Sequence, residues 1–269
     1  ETLRQFEEAD NFGSLIVPKV QNVESVLKLL ESKDVTKDIF LSNTHQRVLK
    51  LLKQANFLSQ KYHVVVANPP YMGNKGINPR LEVFLKDNYE EVKMDLFSAF
   101  VVRCSTLGVS NANIGIMSPN VWMYISSYEK LRHYILKQKT LTTLVELPLT
   151  GFRGATVQIC SYTFINHHYP DLKGGFIRLV DFKGADEEMA LYTKEAIKNK
   201  DCGYFHKSSS IDFEKIPGMP FAYWISDAFR AIFEKSAVLS EFGDIGKGLD
   251  TGNNERFLKN KYEIPLNKL

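Results

Sequence analysis

Several things are scarce in these 269 residues, and each scarcity excludes something. There are three cysteines, Cys104, Cys160 and Cys202, far apart in the chain. An odd number with no close pair argues against a disulfide framework and against a cysteine metal knuckle, and it suits a reducing, cytoplasmic setting. No apolar run approaches the roughly 18 residues that a membrane span requires. No secretory leader pattern is visible. The formal net charge is only +3. So slight an imbalance neither requires nor excludes a nucleic-acid partner, because basic residues can gather on one face. Internal repeats and low-complexity tracts are also missing. What remains, 44% hydrophobic and 24% charged residues, is globular composition rather than disorder. The length suits one large domain, or one domain with part of another.

The pattern of what is present begins with helices. Residues 20–31 and 44–60 read as helical; in the second, Val48, Leu51, Leu52, Ala55 and Leu58 recur at helical spacing. Tyr62 to Ala67 then forms a short β-branched run stopped by two prolines. Such a run predicts a strand buried on both faces of a parallel sheet. A helix follows, with Leu96, Phe100, Cys104 and Leu107 on one face and Gly108 at its end. Ile114 to Met117 is the next strand. Ser126 and Glu129 suggest a capping box for a helix to about residue 137. Leu144 to Leu147 is a third strand, stopped by Pro148. Alternation of this kind predicts an open α/β sheet whose ligands sit at the carboxyl ends of the strands. Val157–Ile165 and Gly175–Phe182 read as two more strands, a hairpin-like edge joined through His167 to Pro170. Residues 184–215 read as polar and irregular with one helix near 187–199, and Phe221 to Trp224 leads into another helix.

One of those carboxyl ends carries Asn68-Pro69-Pro70-Tyr71. This corner suits a particular chemistry. The exocyclic amine of adenine is a poor nucleophile, because its lone pair is delocalised into the ring. Two acceptors that take hydrogen bonds from both amine hydrogens leave the nitrogen more electron-rich. The Asn68 side-chain oxygen can supply one and the Pro69 carbonyl the other. The prolines stiffen the corner, since Asn68 is pushed to extended backbone and neither proline has an N–H. Tyr71 offers a flat face, and stacking a base on an aromatic ring is worth about 1–3 kcal/mol. A base inside a duplex cannot reach such a corner and must be flipped out. A rigid turn after a strand is the plain alternative for the four letters alone.

The segment resembles the amino-methyltransferase motif of N6-adenine DNA methyltransferases, and the later segments keep that family's order. Met94 to Phe100 resembles the helix after the catalytic corner, Ile114 to Trp122 the next strand with its Pro-x-x-Trp ending, and Phe152 to Val157 the turn that carries a second base-stacking aromatic. The resemblance makes Phe152 a candidate for the opposite wall of a base pocket; a core or hinge aromatic is the alternative. Asn68 to Gly76, Trp122 to Arg132 and Gly248 to Phe257 are similar, more narrowly, to the PglX family of bacterial BREX phage defence, related to type IIG restriction-modification methyltransferases. The implied fold is part of a Rossmann-like methyltransferase sheet with flanking helices, followed by the start of a target-recognition domain. The implied cofactor is S-adenosylmethionine, with Asn68 and Pro70 at its edge. The implied partner is double-stranded DNA with a flipped adenine, together with other phage-defence proteins. The expected division is a helical lead-in or insertion at 1–60, the catalytic half of the methyltransferase core at 61–183, an irregular and helical extension of the core at 184–242 and a junction to a truncated target-recognition domain at 243–269.

The same resemblance calls for a glycine-rich loop after a first strand, with an acid beyond it for the ribose. Neither occurs before Asn68. The cluster from Gly243 to Gly248 reads better as a junction, and Gly73 to Gly76 follows the corner rather than preceding it. Together with a start at Glu1, this predicts a fragment that holds the base side of the site, binds S-adenosylmethionine weakly or not at all, and is inactive alone. Lys75 and Arg80, in an acid-free stretch after the corner, are candidates for phosphate contact, with a solvated loop as the alternative. Asp95 is expected to cap its helix, Cys104 to pack, and His167-His168 to form a surface turn rather than a metal site. No metal is implied. Two rival functions stay open: methylation of RNA or of a protein glutamine at the same corner, and a non-enzymatic DNA-binding or assembly module that keeps the fold.

Overall fold

A computed structural model describes residues 2–19, 22–35, 39–73, 76–151, 156–237, 241–243 and 246. The described elements alternate much as the sequence pattern predicts. Two short helices, α1 (Thr2–Gln5) and α2 (Ala9–Phe12), open the chain. Helices α3 (Val23–Glu31) and α4 (Ile39–Ser59) pack on each other through Val23, Leu27, Leu52 and Ala55. Strand β1 (Tyr62–Ala67) follows, then α5 (Pro79–Asn88) and α6 (Leu96–Leu107). Pro79 opens α5, where its missing N–H costs nothing, and the Asn78 side chain caps it by accepting from Leu81 N at 3.0 Å. After α6 come β2 (Gly108–Pro119), α7 (Glu129–Gln138), β3 (Thr140–Glu146), β4 (Ile159–Ile165) and β5 (Gly174–Arg178). Helix α8 (Asp186–Lys198), β6 (Phe205–Ser208), α9 (Ser210–Glu214) and α10 (Asp227–Lys235) complete the order.

The six strands form one sheet in the order β1-β2-β4-β3-β5-β6. β1 runs parallel to β2 and β3 parallel to β5, whereas β4 is antiparallel to both β2 and β3, and β6 to β5. The fold is α/β with a mixed sheet. Parallel β1, β2 and β3 therefore end on one edge, and β4 begins there.

Five expectations need correction. β1 is not buried on both faces: it is the outer strand of the described sheet, with Val64 62% and Val66 77% exposed. The strand's twofold alternation explains this. Val65 and Ala67 face the main core, while Val64 and Val66 stand on the opposite face. β4 and β5 are not a hairpin edge, because β3 lies between them; β4 is central, burying Cys160, Tyr162 and Phe164. The stretch 184–215 is less irregular than its polarity suggests, since it contains β6 and α9. The capping box at Ser126 and Glu129 does not form: Ser126–Tyr128 is a 3-10 turn, and α7 starts at Glu129 without a side-chain cap. Gly108 does follow α6 directly, but in extended backbone as the first residue of β2 rather than as a left-handed cap.

The main core lies between the sheet and α5, α6 and α7, around Phe97, Ile114, Trp122, Leu144 and Phe164. Two buried arginines fasten outlying segments to it. Arg103 donates to the carbonyls of Ser14, Ile16 and Leu58 at 2.8–2.9 Å, tying the chain's opening to α6. Arg132 donates to Trp122 O, Ile125 O and Gly218 O at 2.7–2.9 Å, tying α7 to the turn after β2 and to the segment before Phe221. Each guanidinium is buried but satisfied, the condition under which a buried cation is tolerated.

Candidate active site

The Asn68 corner sits at the carboxyl end of β1, on the sheet edge where β2 and β3 also finish. Asn68 and Pro70 are exposed and Pro69 is buried. The Tyr71 ring is 37% exposed, and its hydroxyl donates to Asn68 Oδ1 at 2.9 Å. Partial burial and the nearby Cys160 thiol raise the Tyr71 hydroxyl above its ordinary pKa, so it remains a donor. The amide oxygen expected to accept from a substrate is thus already engaged, with room for another bond, since a carbonyl oxygen has two lone pairs.

Asp95 fixes the strand of chain that leaves this corner. Its carboxylate accepts from Met72 N at 3.1 Å and from Phe97 N at 3.3 Å. Leu96 N donates back to Met72 O at 3.2 Å, and Gly73 bridges Asp95 in antiparallel fashion. The expected helix cap is present, and the same oxygen also clamps the corner. Burial raises the Asp95 carboxyl above its ordinary range, partly offset by the backbone N–H groups it accepts from. Its charge and burial also push the neighbouring Tyr128 hydroxyl up to about 12, burial being the larger cause.

Other candidates fall out differently. Arg80 lies in the first turn of α5, and its guanidinium pairs with Glu8. A phosphate would have to compete with that carboxylate. Beside it, Asn78 and Asn11 exchange hydrogen bonds at 2.8 and 3.3 Å. Lys75, Phe152 and the segment from Gly248 to Phe257 lie outside the described residues. Cys104 is buried against the core, its thiol pushed up to about 11 by burial. His167 and His168 border a turn: the His167 carbonyl accepts from Thr140 Oγ1 at 2.7 Å, and the His168 ring Nδ1 lies 3.3 Å from the Lys139 carbonyl. Among the described residues no cluster of histidine, cysteine and acidic groups could hold a metal ion. No described helix is long and apolar enough to cross a membrane.

The sheet edge carries a second polar constellation that the sequence reading missed. Glu146, the last residue of β3, is 2% exposed and accepts three hydrogen bonds. They come from Asn120 Nδ2 at 2.9 Å, Tyr124 Oη at 2.7 Å and Tyr223 Oη at 2.7 Å. The Asn120 amide also approaches Gln158 Oε1 at 3.5 Å. Burial first, and then the adjacent Glu146 charge, drive the Tyr124 and Tyr223 hydroxyls far above their ordinary pKa, so both stay protonated donors. Cys160 pairs in register with Ser118 on one side and Glu146 on the other, which sets it between the ends of β2 and β3. A glutamate inside an apolar run, Leu144-Val145-Glu146-Leu147, was the signal that could have found this group.

Comparison with known proteins is decisive at this point. Residues 4–152, more than half of the chain, match the family model of the Eco57I restriction-modification methylases. The chain belongs to that family. It is 36% identical over 274 aligned residues to the adenine-specific methyltransferase BrxX of Escherichia coli O9:H4 (strain HS), an alignment spanning 99% of this chain and 22% of that protein. It is 26% identical over 279 aligned residues to the adenine-specific methyltransferase PglX of Lacticaseibacillus casei (strain Zhang), spanning 100% of this chain and 23% of that one. The chain thus covers less than a quarter of either relative's length. Among solved structures, the methyltransferase subunit of a type I restriction-modification system from Streptococcus thermophilus superposes with a TM-score of 0.47 at 14% identity, over 61% of this chain and 38% of that one. Within the Eco57I family match lie both the Asn68 corner and Glu146.

Proposed function

We propose that this chain is the base-side half of an S-adenosylmethionine-dependent DNA adenine-N6 methyltransferase from a phage-defence or restriction-modification system. The observation that carries this reading is the exposed Asn68-Pro69-Pro70-Tyr71 corner at the carboxyl end of β1, in a member of the Eco57I restriction-modification methylases. Asn68 Oδ1 and the Pro69 carbonyl accept from the two hydrogens of the amine, which concentrates electron density on the nitrogen. Tyr71 stacks on the base, and Phe152 forms the other wall. A base presented to this corner has left the duplex. Double-stranded DNA is then the substrate, with Lys75 and Arg80 near its phosphates.

When bound, S-adenosylmethionine supplies an electrophilic methyl group. No glycine-rich loop follows a strand before Asn68, and of the described residues we assign only Asn68 and Pro70 to its border. Among the described residues the outer edge of β1 has no partner strand, and that edge together with the exposed faces of Val64 and Val66 suits the addition of a further strand and covering helix. We place the main cofactor contacts there, on residues outside this chain. Isothermal calorimetry with residues 1–269 should accordingly give no measurable or only weak S-adenosylmethionine binding; micromolar affinity would overturn that placement.

The catalytic assignment is tested in the full-length natural protein. Asn68→Ala should abolish adenine methylation, measured by transfer of labelled methyl groups to DNA. Tyr71→Phe keeps the ring and loses only the bond to Asn68, so it should be milder. Near-normal methylation by Asn68→Ala would end this mechanism.

A further inference from the structure

Glu146 is costly where it stands. A carboxylate withdrawn from water loses several kcal/mol of hydration unless its lone pairs are matched by donors. No lysine, arginine or histidine forms an ion pair with it among the described residues. Arg178, which stands opposite Glu146 in the β3–β5 register, pairs with Asp181 and lies over the Trp224 ring at 4.7 Å instead. Three neutral donors satisfy Glu146, and they come from two separate stretches of chain: the turn after β2 (Asn120, Tyr124), and Tyr223 before α10. Two of those donors are buried, Asn120 at 6% and Tyr223 at 2% exposed. Tyr124 differs, being 36% exposed.

Its geometry is fixed from both ends. The hydroxyl is held inward by Glu146 at 2.7 Å, and the ring meets Trp224 edge-on at 6.0 Å. The ring therefore stands at the carboxyl edge of the sheet with its hydroxyl directed inward to Glu146. β1 ends with Ala67 opposite Ile116, two residues before Ser118, and Ser118, Cys160 and Glu146 stand in register across β2, β4 and β3, which sets the Tyr71 corner and the Tyr124 ring on the same carboxyl edge of the sheet. A tyrosine that spends its hydroxyl on a buried carboxylate presents only aromatic surface outward. That surface recognises planar, unstacked rings.

We propose that Tyr124 is a further nucleobase contact beside the Asn68 corner, and that Glu146 is the positioning residue that holds it. The inference rests on the DNA methyltransferase reading. The ligand is an unstacked base of the DNA substrate, and the contact contributes to binding DNA rather than to the chemistry at the amine. Glu146 touches no reacting atom.

The test uses the full-length protein and a labelled duplex carrying the modified site, with DNA Kd from fluorescence anisotropy, KM and kcat from methyl transfer, and S-adenosylmethionine Kd from calorimetry. Tyr124→Ala should weaken DNA binding roughly tenfold, the scale of one lost stacking contact. It should raise KM for DNA to match and leave S-adenosylmethionine affinity unchanged. Tyr124→Phe keeps the ring but frees it from Glu146, and should fall between wild type and Tyr124→Ala. Glu146→Gln should lower thermal stability and also weaken DNA binding of the folded protein as Tyr124→Phe does. DNA affinity within twofold of wild type for Tyr124→Ala would overturn the contact. Glu146→Gln with lowered stability but wild-type DNA affinity would overturn the positioning role. Equal losses in DNA and S-adenosylmethionine affinity for Tyr124→Ala would mean general damage and also overturn the contact. A wild-type protein that binds DNA but never methylates adenine would fail the underlying reading, an outcome distinct from all three.

Discussion

β1 and β3 are both parallel strands that finish on the same edge of the sheet, yet they are supported very differently. β3 lies between β4 and β5, buries Leu141 and Leu144, and ends in a glutamate gripped by three donors. β1 has one neighbour among the described strands, leaves Val64 and Val66 in the open, and ends in a corner whose hydrogen bonds are mostly its own. The difference separates two ways of building a site. At the end of β3 the tertiary fold of this chain organises the side chains. At the end of β1, local stiffness from two prolines does most of that work, with Asp95 as the main outside restraint.

Substitutions should respect that contrast. Leu144→Ala, at the buried centre of β3, should cost about 2–5 kcal/mol of folding stability in urea titrations. Val66→Ala on the open face of β1 should change the stability of residues 1–269 by less than about 0.5 kcal/mol in the same assay. Equal costs would mean that Val66 is covered after all, and the comparison between the strands would collapse. Between these extremes stands Asp95. Removing its carboxylate with Asp95→Ala loses a helix cap as well as the clamp on Met72, and should cost about 0.5–2 kcal/mol.

The smallest effect concerns pH. Burial raises the Asp95 carboxyl above its ordinary value of 3.8. The folded protein therefore holds this proton more tightly than the unfolded chain does. Its contribution to stability is full below 3.8 and is lost as pH rises through the raised folded value. Asp95→Asn keeps an acceptor oxygen for Met72 and Phe97 and removes the titration. Denaturant midpoints across the acidic range should thus decline less with rising pH in Asp95→Asn than in wild type. Parallel pH profiles for the two proteins would show that the clamp does not titrate there.

How much of this was legible in the sequence follows the same division. The corner at Asn68 to Tyr71 could be read because its physics is local: proline stiffness and strand alternation act over a few residues. α6, α8 and the strand at 62–67 were placed close to where they stand for the same reason. Periodicity could not reveal which strands are neighbours. The apolar run of β1 looked buried on both sides because a valine's partners are not written beside it. β4 was taken for an edge because its antiparallel place between β2 and β3 depends on contacts far along the chain. Glu146 escaped for that reason too, since Tyr223 lies 77 residues away. The Phe152 assignment rests on resemblance, and that residue falls outside the described ones.

The central position of β4 also dictates an order of assembly. β2 ends at Pro119, but the strand that pairs with its far side begins only at Ile159. A chain emerging from the ribosome with β1, β2 and β3 complete would still hold a β1–β2 pair and a separate β3, each with unpaired backbone N–H and C=O groups along its edge. Only when Ile159–Ile165 slots between them do they become one surface. Pairings between segments so distant in sequence carry a large loop-closure cost and form slowly. For that interval the nascent protein is exposed to association with other chains, and the edge where the proposed chemistry occurs has no continuous floor until β4 is in place.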